Sequence, residues 1–125
     1  MAIVAIIGAG LIGRAWAISF ARGGHEVRLH DENAGVAEKA LAFAEEMLPR
    51  LESEGLLLNN EKAGAVARRL TLAASLEAAL SGAVHVQENT PEDLAVKQAI
   101  FARLDKMVSP ETVLASSTSA ILPSK

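Results

Sequence analysis

The sequence predicts a doubly wound α/β fold, a mainly parallel sheet with helices on both faces. Three observations carry that expectation. The apolar run Ile3-Val4-Ala5-Ile6-Ile7 leads directly into Gly8-Ala9-Gly10-Leu11-Ile12-Gly13, and Leu11 to Arg22 then reads as a helix. A second strand-like run, Glu26 to His30, ends on Asp31, eighteen residues after Gly13. Beyond it, strand-like and helix-like segments continue in the order βαβ, helices, β, α, β. Half of the 125 residues are hydrophobic but only 3% are aromatic, so the core must be built from Ala, Leu, Val and Ile. That composition suits helices packed on a buried parallel sheet, and the length suits one domain.

The elements follow in order. Gly23-Gly24 ends the first helix and turns the chain into the second strand. Asn33 is placed to cap a long second helix, whose apolar positions Ala37, Ala40, Leu41, Ala44, Met47, Leu48 and Leu51 share one face. Pro49 lacks an N–H and crowds the preceding turn, so it should kink this helix or end its regular part. Leu56 to Asn60 reads as a loop, with Asn59 or Asn60 capping a short helix through Ala67. Leu70-Thr71-Leu72 is expected as a brief edge strand and Ser75 as the cap of a turn from Leu76 to Leu80. Ala83 to Gln87 reads as a core strand closing on Glu88. Thr90, Pro91 and Asp93 supply an N-cap, a proline at the first helical position and a first-turn acid. They open a helix to about Val108 that should bury Val96, Ile100, Leu104, Met107 and Phe101. Val113-Leu114-Ala115 is the last strand, and it runs into Ser116-Ser117-Thr118-Ser119. The chain has no repeat, low-complexity tract or evident linker.

Ligands of such sheets sit at the carboxyl ends of the strands. Here those ends carry Gly8–Gly13, Asp31, Glu88–Glu92 and Ser116–Ser119, the most polar and least regular parts of the chain. In the glycine loop each residue type has a reason. Gly8 permits a sharp turn off the strand. Gly10 lets a pyrophosphate approach the backbone, and Gly13 lets helix and strand pack closely. The N–H groups at the helix start, including Leu11 and Ile12, and the helix dipole then favour an anionic diphosphate. Asp31 lies near the ~20-residue spacing expected of the acid that accepts hydrogen bonds from an adenosine ribose. A 2′-phosphate would meet like charge there, so NAD is expected over NADP, and Arg28, upstream of Asp31, does not reverse this. The predicted fold is therefore Rossmann-type.

Other classes are disfavoured. A net charge of −3 and no interleaving of aromatic with basic residues give no footprint for nucleic acid. Without cysteine there is no disulfide framework and no thiolate metal site. His25, His30 and His85 are too scattered for a metal cluster, and His30 should point away from the ribose. The stretch Ile3 to Ala21 is apolar enough to suggest a membrane segment, but Arg14 and three glycines interrupt it and no cationic region precedes it. No membrane association is expected, and the protein reads as cytoplasmic.

Beyond the loop, the chain resembles the NAD-binding domain of the 3-hydroxyacyl-CoA dehydrogenase family over essentially its whole length, and within it the lambda-crystallin / L-gulonate 3-dehydrogenase branch. Three stretches carry the resemblance. The first is Ile6 to Ala17. The second is His85-Val86-Gln87-Glu88-Asn89-Thr90-Pro91-Glu92-Asp93-Leu94 with Lys97 and Ile100 to Asp105. The third is Ser116 to Lys125, with its Pro-Ser-Lys ending. The resemblance implies that Glu92 and Lys97 lie by the nicotinamide half of NAD and that Ser119 contacts the nicotinamide side and the substrate hydroxyl. It implies an oxidoreductase moving hydride between NAD and a 3-hydroxyacyl-CoA or small 3-hydroxy acid, a place in fatty acid metabolism and a homodimeric parent. Met47 and Glu54 stand where CoA-binding members carry a serine and a lysine, which favours a smaller hydroxy acid. The family's catalytic histidine, its partner glutamate and a helical domain for substrate and dimerisation would follow Lys125. Residues 1–125 are thus expected to be an NAD-binding domain that is inactive alone. A non-catalytic, crystallin-like nucleotide module and a methyltransferase are the alternatives. The second is disfavoured because Ser116–Ser119 would have no role.

Overall fold

A computed structural model describes residues 2–57, 61–89, 94–108 and 111–116, side chains at 94–97 and 116 excepted. The strands are β1 (Ile3–Ile7), β2 (Glu26–His30), β3 (Leu70–Leu72), β4 (His85–Glu88) and β5 (Val113–Ser116). They form one parallel sheet in the order β3-β2-β1-β4-β5. The order reverses direction between β1 and β4, the switch point at which a doubly wound sheet opens a crevice for a ligand. The strand ends are level there: Ile7 pairs with His30 on one side and Glu88 on the other, and Glu88 pairs with Ser116. The four chain segments leaving this row carry the polar residues singled out above.

Alternation along β1 divides the core between the two faces. Val4 and Ile6 face one layer, Ala5 and Ile7 the other, and all four are buried because helices cover both sides. The first layer is made by α1 (Leu11–Arg22), α2 (Ala34–Ser53) and α3 (Ala63–Ala67). Small residues on α1 and α2 (Ala17, Ala21, Ala37, Ala40, Ala44) bring these helices close to Val27 and Leu29 of β2. The second layer, α4 (Leu76–Leu80) and α5 (Leu94–Met107), packs Leu76, Leu80, Ile100 and Leu104 against Val86. Phe101 and Met107 lie partly buried at its edge, while Val96 is outside the described side chains.

The terminators act as the residue types require. Gly24 has φ +93°, and the N–H of His25 reaches back to Phe20 O at 3.2 Å, closing α1 through a left-handed glycine. Asn33 Oδ1 accepts from Gly35 N–H at 3.0 Å, and Ser75 Oγ from Ala78 N–H at 3.1 Å. Three expectations need correction. Pro49 does not end α2, which runs on to Ser53; so near the end the helix loses only one internal hydrogen bond, and the buried Leu48 and half-buried Leu51 hold the last turn on the core. The cap of α3 is Lys62, not Asn59 or Asn60, which lie outside the described residues. Its first N–H, on Ala63, is satisfied by Glu52 Oε1 from α2 at 2.7 Å. Ala83 and Val84 precede β4 rather than belong to it. The N-cap sequence Thr90 to Asp93 lies outside the described residues. Among the described residues no helix is long and apolar enough to cross a membrane.

The far edge of the sheet is tied by one ion pair. Arg69 bonds Glu61 through its two terminal guanidinium nitrogens and also donates to Ala21 O at 2.8 Å, joining the ends of α1, α3 and β3. The hydrogen bond from Arg69 holds the Glu61 carboxyl below its ordinary 4.5, against the opposing effect of burial. A carboxylate with a depressed folded-state pKa adds stability that is complete above its unfolded value and lost as pH falls through the folded one. The wild type should therefore lose melting temperature faster than Glu61→Gln as pH drops from 5 through 4.5 and below. Parallel melting curves across that range would remove this role from Glu61.

Candidate functional site

A cleft of about 640 Å³ opens at the switch point. Gly8 and Gly10 form its floor, His30 to Asn33 one wall, and Asn89 with Leu76, Ile100 and Arg103 the other. The glycine loop divides into two halves. The first is anchored to protein: Gly8 N–H donates to His30 O at 2.9 Å, Ala9 N–H to Asp31 Oδ2 at 2.9 Å, and Gly8 O accepts from Asn89 Nδ2 at 3.2 Å. The second half is Gly10 to Gly13. The first helical bond runs from Arg14 N–H to Gly10 O, and no described group accepts from the N–H of Gly10, Leu11, Ile12 or Gly13. Gly10, the cap of α1, has no side chain to occupy these donors, and the first turn carries no acid. Such a helix start is an anion site by construction.

The three glycines differ in what they permit. Gly8 has φ +92°, a conformation that side chains other than glycine adopt at a cost. A Cβ on Gly13 would stand 2.0 Å from Gly8 O and 3.3 Å from Asn89 Nδ2, so helix and loop touch only because it is absent. A Cβ on Gly10 would meet nothing within 4 Å; the space beside it belongs to the cleft. Leu11 and Ile12, in the first turn of α1, are 77% and 58% exposed, although both are large and apolar.

Asp31 is more occupied than its position in the sequence indicates. Besides Ala9, it accepts from Asn33 N–H on Oδ1 at 2.9 Å. Each carboxylate oxygen keeps a further lone pair, so two acceptor directions remain for a diol. His30 is among the residues that line the same cleft. Gly8, Gly10 and Asp31 thus come together; Leu11, Ile12 and Gly13 follow on the same helix start. Glu92 and Ser119 lie outside the described residues, as does the side chain of Lys97, whose backbone is in the first half of α5. Among the described residues no three His, Asp or Glu side chains gather as a metal site. In the sequence Asn89 is one residue of a polar stretch, with no spacing that singles it out. Its signal was an amide at the first position after the strand that faces β1 across the switch point.

A family model described as 3-hydroxyacyl-CoA dehydrogenase, NAD binding domain, matches residues 3–125. A lambda-crystallin homolog of Rattus norvegicus is 41% identical over 98% of this chain and 38% of its own length. An L-carnitine dehydrogenase of Staphylococcus epidermidis is 36% identical over 97% of this chain and 36% of its own length. Among solved structures, 3-hydroxybutyryl-CoA dehydrogenase from Escherichia coli K12 superposes with a TM-score of 0.86 at 33% identity, covering 96% of this chain and 25% of that one. FadB2 of M. tuberculosis gives 0.83 at 35% identity, covering 94% and 41%. The chain thus spans 36 to 38% of the length of these curated relatives.

Proposed function

The chain belongs to the family of 3-hydroxyacyl-CoA dehydrogenase NAD-binding domains, and from that premise we propose that its cleft holds NAD for hydride exchange with a small 3-hydroxy substrate. The observation that carries the proposal is the run of four unpartnered N–H groups, Gly10 to Gly13, beside open space at Gly10. The residues fit the cofactor: those N–H groups suit a diphosphate, and Asp31 retains acceptor capacity for the adenosine ribose. NAD, when bound, supplies a hydride acceptor. This chain's own part is to grip and orient. Glu92 and Lys97, which follow β4, and Ser119, which follows β5, are proposed at the nicotinamide end, with Ser119 against the substrate hydroxyl. The level row Ile7, Glu88 and Ser116 supports this, because all three segments leave the sheet side by side.

Oxidising a secondary alcohol also needs a base for its proton. His25 and His85 stand at the amino ends of β2 and β4, the far side from the cleft, and His30 flanks the ribose position. The base is therefore proposed to come from outside these residues, in a helical domain that also binds substrate and dimerises. Met47 is partly buried against the α1–α2 core, and Glu54 caps the end of α2. Neither offers a cation to the anionic nucleotide of CoA, which favours a free hydroxy acid over a CoA ester, as does the name of the L-carnitine dehydrogenase relatives. A cytoplasmic enzyme is the setting this reading assumes. A crystallin-like role without catalysis would be favoured by NAD binding without dehydrogenase activity in a full-length relative of this chain.

NADH is expected to raise the melting temperature of the protein, with NADPH at least about tenfold less potent because a 2′-phosphate meets Asp31 and the neighbouring Glu32. Equal potency, or stabilisation by S-adenosylmethionine in place of NADH, would overturn the proposal.

A further inference from the structure

Asn89 is used by none of the chemistry above, yet its side chain is held in the cleft by two hydrogen bonds. Its backbone N–H donates to Ile7 O at 2.8 Å, extending the β1–β4 ladder one residue beyond β4. Its Nδ2 donates to two carbonyls, Gly8 O and Gln87 O, each at 3.2 Å. These carbonyls fix the orientation of the amide, since the reversed one would set Oδ1 against two acceptors. Oδ1 is then buried without a partner among the described residues. An unsatisfied buried acceptor costs folding free energy, so a residue that carries one needs another reason for being there.

The reason lies in what Gly8 O touches. Gly8 is held from the β2 side by His30 O, and Ala9 by Asp31; Asn89 holds the loop from the β4 side. Gly8 O also lies against Gly13, so closely that a Cβ there would be 2.0 Å away. The Asn89 amide, the Gly8 carbonyl and the first turn of α1 therefore meet in one contact. Any displacement of that carbonyl moves the Gly10–Gly13 donors with it. Resting on the reading that these donors hold the diphosphate of NAD, we propose that Asn89 is a positioning residue for the cofactor. By pinning Gly8 O from the opposite strand it sets the aim of the N–H groups, and the unpaired Oδ1 is the cost of that contact.

Binding of NADH, ADP-ribose and adenosine to the purified protein tests this, with the melting temperature of the unliganded variants as a check on folding. Asn89→Ala removes the clamp. Asn89→Asp keeps the shape but replaces the donor with a second acceptor, facing two carbonyls. Both are expected to weaken NADH and ADP-ribose about tenfold, the effect of two lost hydrogen bonds between neutral groups, and to leave adenosine unchanged. Amide exchange of Gly8 and Arg14, whose N–H groups are bonded to His30 O and Gly10 O, should quicken in parallel. Asn89→Ser carries the test if neither variant folds. Unchanged NADH affinity overturns the inference, and so does an equal loss for adenosine, which would mark a general structural role. In either case Asp31→Ala, proposed at the ribose end, should still weaken NADH binding about a hundredfold or more. A wild type that does not bind NADH would overturn the proposed function itself.

Discussion

Asp31→Ala is expected to weaken NADH binding by about a hundredfold or more, on the order of two charge-assisted hydrogen bonds. Two losses combine in this variant. The acceptor for the ribose hydroxyls disappears, and so does the carboxylate that holds Ala9 N–H at 2.9 Å and Asn33 N–H at 2.9 Å. The glycine loop then loses one of its two ties to the end of β2, keeping only Gly8 N–H to His30 O, while Asn33 still caps α2 through Gly35. The fold should survive, because Asp31 lies outside both apolar layers. Quenching of Trp16, the single tryptophan, on titration with NADH provides the measurement. Trp16 stacks on Phe20 along α1, behind the loop, and is 39% exposed. Asp31→Asn should lose less than Asp31→Ala, since it keeps one acceptor. An Asp31→Ala protein that binds NADH like the wild type would remove Asp31 from the site.

Gly13→Ala and Gly10→Ala should separate the two meanings of a loop glycine. A methyl group on Gly13 would be 2.0 Å from Gly8 O, the carbonyl of a residue anchored from both neighbouring strands, through its N–H to His30 O and its oxygen from Asn89 Nδ2. Neither partner can yield cheaply, so Gly13→Ala is expected to cost about 1–3 kcal/mol or more of stability and to abolish NADH binding. At Gly10 the methyl group meets nothing within 4 Å, and the backbone there has φ −70°, which alanine adopts freely. Gly10→Ala should therefore melt at or slightly above the wild-type temperature but bind NADH at least about tenfold more weakly, since the added group occupies space open to the ligand. Thermal melts of the two apoproteins, followed by NADH titration, check both. A Gly13→Ala protein as stable as the wild type would mean that the loop and helix are not in the close contact described.

Much of this architecture was legible because it rests on local chemistry. Leu11 to Arg22, Glu26 to His30 and the Asn33 and Ser75 caps depend on nearby residues, and the structure has them at the expected places. What escaped depended on distant partners. Pro49 looked like a terminator, but burial of Leu48 and Leu51 against the core carries α2 past it. The start of α3 looked as if it needed an asparagine cap, but Glu52, eleven residues before Ala63, supplies the acceptor from another helix. The site followed the same rule. Gly8, Gly10, Gly13 and Asp31 announce themselves by spacing. That Asp31 also anchors the loop, and that Asn89 reaches the Gly8 carbonyl from 81 residues away, depends on pairing between strands that no local pattern encodes.

The central claim is that the glycine cleft of this chain holds NAD through the free N–H groups of Gly10 to Gly13. Calorimetric titration of the protein with NADH tests it most directly. The account predicts one saturable site per chain, competed by ADP-ribose. No measurable binding of NADH, or binding that ADP-ribose leaves untouched, would contradict it.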